Sequence, residues 1–333
     1  MNFIDSIKLK ASKNKKTIIL PEMEERIIKA GVIASEENIA NIIFLGSKEE
    51  IQKILDENNL KLNENIKIIE YLSEEYKEEY NKKVLKFTEI RKNKNIQIEE
   101  AREVLKDPIY FGMMLLYMNE GDGLVAGAKY ATKDVLRPSL QIIKTKEGSS
   151  IVSSYFIIDT GIKEYGEEGI IFMSDCGLNI NPDEYELSNI ALDSANTFRK
   201  ILEKEPKLAF LSFSTFKSAE SDSTKKVRKA VELTREKADF LLDGEMQLDT
   251  AIIKEVAEKK AKDSKVAGSA NILIFPDLDS GNIGYKMAQY MSKGKAYGPL
   301  LQGIKKPVND LSRGASVYEI IGVIAITALE AQK

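Results

Sequence analysis

The chain reads as a soluble α/β protein of two domains, with β-strands and amphipathic helices following one another in turn. Three observations lead to that reading. Short apolar runs rich in β-branched and aromatic residues alternate with stretches of helical periodicity, in βα order. Several of these runs lack polar alternation, as strands buried on both faces do. The length, 333 residues, suits two ordinary domains better than one, and 43% hydrophobic with 30% charged residues is an ordinary globular balance.

In order along the chain, strands are expected over Thr17–Leu20, Asn41–Leu45, Gly123–Ala126, Ser153–Ile158, Ile170–Ser174, Ala209–Phe213, Phe240–Leu242 and Ile272–Phe275. Helices are expected over Glu25–Glu36, Glu99–Leu105, Asp183–Glu203, Thr224–Lys237, Asp249–Lys260 and Gly281–Ser292. Asp107-Pro108 and Asn181-Pro182 each offer an N-cap followed by proline at the first helical position. Two polar stretches, Lys144–Ser150 and Lys293–Gly298, interrupt the pattern. If both are crossings, residues 147–296 form a second domain inserted into a first made of 1–146 and 297–333. A cleft between the halves is then the default place for a site.

Composition removes several function classes. With 49 basic and 52 acidic side chains the net charge is −3, so neither nucleic acid nor an anionic membrane is an expected partner. No apolar h-region follows Met1, and the longest nearly uncharged apolar stretch, Ile320–Leu329, is about half of a membrane span. One cysteine excludes an intrachain disulfide framework, and a cytoplasmic location is expected. The chain has no histidine. Serine–histidine and cysteine–histidine catalytic pairs are therefore impossible, as are the common histidine-bearing zinc sites. Acid–base work falls to Asp, Glu, Lys, Tyr or Cys176, and neither a metal nor a cofactor is expected.

The nucleotide fingerprints fail too. Gly121-Asp122-Gly123-Leu124-Val125-Ala126-Gly127 has the wrong spacing for a dinucleotide turn and reads as a turn into a buried strand. Cys176, in Ser174-Asp175-Cys176-Gly177, has no evident basic partner to lower its pKa and reads as structural.

The C-terminal segment carries more. Lys305-Lys306-Pro307-Val308-Asn309-Asp310-Leu311-Ser312-Arg313-Gly314 precedes Ala315-Ser316-Val317-Tyr318-Glu319, which opens a long apolar helix. This is a loop presenting a hydroxyl and a guanidinium at a helix entrance, and both the planar arginine fork and the helix N-terminus suit phosphate. Ser316-x-x-Glu319 also fits a capping box, in which Glu319 has no catalytic role. The two readings are compatible, since the box would place the carboxylate beside Ser312 and Arg313.

These residues resemble phosphate acetyltransferase (phosphotransacetylase) in its short, single-module form, over practically the whole chain from Leu20-Pro21-Glu22 onward. The strongest block is Lys306–Gly314, supported by Arg91-Lys92, Asp134–Pro138, Asp243–Asp249, Phe275–Leu278 and Gly281–Ile283. The resemblance implies two three-layer α/β domains with a cleft between them, related to isocitrate and isopropylmalate dehydrogenases, and usually a homodimer. It implies transfer of an acetyl group between coenzyme A, a substrate, and inorganic phosphate. Arg313 would bind the acyl phosphate, Ser312 would assist at the reacting centre, and Glu319 would take the thiol proton, standing where the family usually has aspartate. Arg91 and Arg137, with Thr132, Ser214 and Asn282, would hold coenzyme A or phosphate. One departure is Phe216-Lys217, where the family has Lys-Gly or a similar pair. Phosphate butyryltransferase, a non-catalytic binding domain and a dehydrogenase of the related fold stay open as rival readings.

Overall fold

Apolar runs between turn residues form the expected strands, and several of the helices between them begin at side-chain caps. The computed structural model describes residues 2–332. The chain divides into two compact units, Met1–Lys146 with Ile304–Lys333, and Glu147–Gly303.

The first unit opens with α1 (Phe3–Ser12), β1 (Lys16–Leu20), α2 (Glu25–Glu36), β2 (Ala40–Leu45), α3 (Lys48–Glu57) and β3 (Ile66–Ile69). It continues through α4 (Lys77–Ile90), α5 (Ile98–Val104), α6 (Pro108–Tyr117), β4 (Gly123–Ala126) and α7 (Thr132–Pro138). The second unit contains β5 (Ser153–Asp159), β6 (Ile170–Ser174), α8 (Glu184–Leu202), β7 (Lys207–Leu211), α9 (Asp222–Arg235) and β8 (Leu241–Met246). It ends with α10 (Leu248–Ile252), α11 (Lys254–Lys260), β9 (Ile272–Ile274), α12 (Leu278–Ser292) and β10 (Lys295–Gln302). The chain then returns to the first unit as β11 (Val308–Asp310) and α13 (Val317–Gln332).

Within the first unit the strands run β3-β2-β1-β4-β11, all parallel. Within the second they run β10-β5-β6-β9-β7-β8, parallel except where β5 meets β10 and β6. Strand β4 and the Ile18–Leu20 end of β1 are wholly buried, which is why those stretches show no polar alternation. Helix α13 contributes Ile320, Ile321, Val323, Ile324, Ile326 and Leu329 to the first core. Phe156, Ile158, Met173, Leu273 and Phe275 lie at the heart of the second.

Several local expectations needed correction. Asp107 does cap α6 with Pro108 at the first position, but α8 is capped by Asp183 through a reciprocal box with Glu186, so Pro182 stays outside the helix. The single helix expected over Asp249–Lys260 is two, separated by an extended Ile253. Most of Lys293–Gly298 belongs to β10, and its Gly298-Pro299 step coincides with a register shift against β5 between Tyr297 and Leu300. Proline cannot donate to a ladder, so this sequence reads as a break although the strand continues past it.

Candidate active site

Because β1, β4 and β11 are parallel neighbours, their carboxyl ends lie along one edge of the first sheet. The order reverses direction between β1 and β4, and ligands of open α/β sheets bind outside the carboxyl ends at such a point. Three loops meet there: Pro21–Glu24 after β1, Gly127–Ala131 after β4, and Leu311–Ser316 after β11.

The first two loops are joined by a buried carboxylate. Glu22 Oε2 accepts the amide hydrogens of Gly127 (2.8 Å) and Ala128 (3.0 Å), and Oε1 accepts those of Lys129 (2.8 Å) and Tyr130 (3.3 Å). Four converging N–H groups form a concavity of the kind that binds anions, and here the protein fills it with its own charge. Gly127 adopts φ +115°, and a Cβ there would fall onto Asp310 Oδ1 and the Leu311 nitrogen. Only glycine lets the β4 and β11 loops approach this closely.

Asp310, the last residue of β11, is buried, and Thr132 at the start of α7 donates its hydroxyl to Oδ2 at 2.6 Å. Oδ1 has no hydrogen-bond partner among the described residues. Burial, reinforced by the Glu22 carboxylate, pushes the Asp310 carboxyl up to about 7 against the Thr132 hydroxyl and the Leu311 amide.

Beyond Asp310 the loop turns outward. The Ser312 carbonyl accepts from the Ala315 amide at 2.9 Å, and Ser312, Arg313 and Gly314 are exposed. Helix α13 then starts with the expected capping box. Glu319 Oε2 accepts from the Ser316 amide and hydroxyl, both at 2.8 Å, and the Glu319 amide donates to Ser316 Oγ at 3.3 Å. Oε1 is bonded to nothing among the described residues, so the box fixes the carboxylate while leaving one oxygen available.

The arginines divide into two sets. Arg26, Arg102, Arg199, Arg228 and Arg235 are held by protein acceptors. No side-chain hydrogen bond or ion pair engages Arg91, Arg137 or Arg313 among the described residues. Arg91 ends α4 and Arg137 lies in the last turn of α7. Both act on the Tyr110 phenol of α6: burial raises its pKa, and the Arg137 and Arg91 guanidiniums oppose the rise. Arg91, Arg137, Thr132, Ser312, Arg313 and Glu319 thus all belong to the first unit.

Ser214 and Asn282 belong to the second unit and are engaged locally. Ser214, expected to touch substrate, is instead wholly buried; its hydroxyl contacts Glu245 Oε1 at 2.8 Å and accepts from the Ala219 amide at 3.0 Å. Asn282 donates to the Cys176 carbonyl at 3.1 Å and accepts from Lys286 Nζ at 2.7 Å. The turn that lacks the family glycine forms nevertheless: Phe216 (φ 46°) and Lys217 (φ 71°) are both left-handed. The Lys217 amide donates to the buried Glu245 at 2.8 Å, which holds the turn closed. Cys176 is buried, and burial pushes its thiol well above the usual value, leaving it unreactive.

Residues 2–328 match the family described as Phosphate acetyl/butaryl transferase. The chain belongs to that family. A phosphate acetyltransferase of Thermoanaerobacterium thermosaccharolyticum is 48% identical over 334 residues, covering 100% of both chains. The crystal structure of a phosphotransacetylase from Streptococcus pyogenes is 39% identical with a TM-score of 0.90, covering 99% of this chain and 98% of that one. A 4-hydroxythreonine-4-phosphate dehydrogenase from Klebsiella pneumoniae, 12% identical with a TM-score of 0.56 over 96% of this chain and 100% of that one, shares the fold alone. The expected dehydrogenase-like α/β architecture is thereby found.

Glu22, Arg26 and Asp310 frame this candidate site without having been expected to do so from the sequence. The available signal was an acidic residue at the carboxyl end of a strand, Glu22 just beyond β1 and Asp310 closing β11. No helix is long and apolar enough to cross a membrane, and no group of acidic or cysteine side chains could hold a metal ion, among the described residues.

Proposed function

We propose that this chain catalyses acetyl transfer between coenzyme A and inorganic phosphate (acetyl-CoA + phosphate = CoA + acetyl phosphate). The observation that carries this reading is the loop after β11, where Ser312 and Arg313 are exposed at the carboxyl edge of a parallel sheet and Glu319 follows at the mouth of α13. Glu319 Oε1 accepts the thiol proton, the thiolate attacks the acyl carbonyl carbon, and the carbon–oxygen bond to phosphate breaks with its electron pair on phosphate. Arg313 balances the charge of the departing phosphate, and Ser312 supports the reacting acyl phosphate.

A carboxylate is intrinsically a weaker base than a thiolate, so direct proton transfer from thiol to carboxylate is uphill. The carboxylate therefore works only where Arg313 and backbone donors at the α13 entrance stabilise the thiolate. Arg91 and Arg137, engaged by no side-chain hydrogen bond or ion pair among the described residues, supply cationic forks for the phosphates of coenzyme A. Thr132 orders the start of α7 through its hydrogen bond to Asp310. No cofactor takes part.

The working form in this reading is a cytoplasmic homodimer. Ile283, Met287, Tyr290 and Met291 form an exposed apolar stripe on α12, with Tyr290 76% and Met291 78% exposed, which supports a self-association face.

The deciding experiment mixes purified protein with coenzyme A and either acetyl phosphate or butyryl phosphate, and follows thioester formation, with light scattering for the oligomer. Rapid turnover with acetyl phosphate supports the reading. Preference for butyryl phosphate reassigns the acyl group, and no thioester from either refutes the reading.

A further inference from the structure

We propose that Arg26 is a positioning residue for the loop that carries Ser312 and Arg313. Its Nη1 donates to the Arg313 carbonyl at 3.0 Å and to the Ala315 carbonyl at 2.7 Å, gripping the loop on either side of Gly314. The guanidinium is itself held, because Nε donates to Glu24 Oε1 at 2.7 Å. The other Glu24 oxygen caps α2 by accepting the amides of Arg26 (2.8 Å) and Ile27 (3.2 Å). A single carboxylate thus joins the helix start to the arginine, and the arginine joins both to the loop.

The geometry requires a guanidinium. Nη1 uses its two hydrogens on two carbonyls while Nε uses a third on Glu24, all within one rigid plane. A lysine ammonium brings one nitrogen on a flexible stem and cannot hold this set in the same directions. The anchor is also rigid: Ile27, Ile28, Ala30 and Gly31 of α2 are buried, and Gly31 lies so close to Phe44 and Leu20 that it has no room for a Cβ. Ser312, Arg313 and Gly314 are exposed and make few contacts of their own, so these two carbonyl bonds reference the loop to a fixed helix. The Nε and Nη1 hydrogens of Arg26 are taken up by protein acceptors, so it acts through the loop it holds.

The proposal rests on Arg313 binding the acyl phosphate, and its test separates the two ideas. Steady-state kinetics with acetyl phosphate and coenzyme A varied in turn are measured for R26A, R26K, R313A and the R26A/R313A pair. R26A is expected to lower kcat and raise KM for acetyl phosphate, up to about a hundredfold in kcat/KM, as misplacement by about 1 Å does, with KM for coenzyme A little changed. R26K should recover only part of the loss. In the R313A background the R26A change should cost much less than in the wild type, because most of its effect passes through the Arg313 side chain and only the part carried by Ser312 remains. A full additional loss in that background, or R26K equal to wild type, overturns the positioning role, and the R26K result stands even if R26A fails to fold. R313A with undiminished turnover removes the Arg313 reading itself, whereas an impaired R313A beside an unimpaired R26A removes only this proposal.

Discussion

Asp310→Asn exposes an energetic cost built into the end of β11. The carboxyl is raised from an ordinary 3.8 to about 7 chiefly because it is buried, with the Glu22 carboxylate adding to the rise. The gap corresponds to on the order of 4 kcal/mol. The sign follows from linkage: between those two values the folded chain keeps a proton that the unfolded chain has lost, so stability falls as pH rises. The wild-type chain bears no such cost near pH 3.8, accumulates it up to about pH 7, and carries it undiminished above. Asparagine cannot ionise and removes the titration. Its amide nitrogen does face the same unsatisfying surroundings, at a pH-independent cost of about 1–3 kcal/mol. The informative quantity is therefore the slope and not the offset. Denaturation midpoints of both chains, measured across the window from pH 4 to pH 8, should converge or cross in favour of the asparagine variant as pH rises. A difference independent of pH would refute the reasoning, since it would mean that Asp310 titrates alike in the folded and unfolded chains.

Three further outcomes are expected. Glu319→Gln keeps an acceptor for the Ser316 bonds, so the melting temperature should move little while kcat falls by about 10²–10⁴, as loss of a general base does; near-wild-type kcat would leave Glu319 a cap only. Glu22→Gln turns an NH₂ group toward part of the four-amide cluster, leaving buried donors unpaired. It should lower stability by about 3 kcal/mol in denaturant titration, and a neutral result would show that the cluster reaches water. Lys217→Gly relieves a left-handed residue at φ 71° while keeping the amide bond to Glu245. Strain of about 1–2 kcal/mol is offset by about 0.5–1 kcal/mol of glycine entropy, so the denaturation midpoint should rise slightly.

Much was legible in the linear sequence because its causes are local. Strands such as Ile170–Ser174 and helices such as Glu25–Glu36 are set by burial period and caps within a few residues. The absence of histidine excluded whole classes of catalysis, and Ser312, Arg313, Ser316 and Glu319 are near enough in sequence for both the loop that presents a hydroxyl and a guanidinium and the capping box to be read directly. Strand β11 escaped because Val308-Asn309-Asp310 has little strand propensity; buried bonds from Asn309 to Thr327 and Glu330 of α13 stabilise its place.

The supporting framework was decided only by the tertiary structure. Glu22 meets Gly127 across 105 positions, Thr132 meets Asp310 across 178, and Arg26 meets Arg313 across 287. Nothing local distinguishes Glu22 or Arg26 from the other charged residues of Glu22-Met23-Glu24-Glu25-Arg26. Their roles arise when parallel pairing brings three loops to one sheet edge. There, amides and carbonyls withdrawn from water must find partners, and the side chains folded against them become the ones that set the geometry of the site.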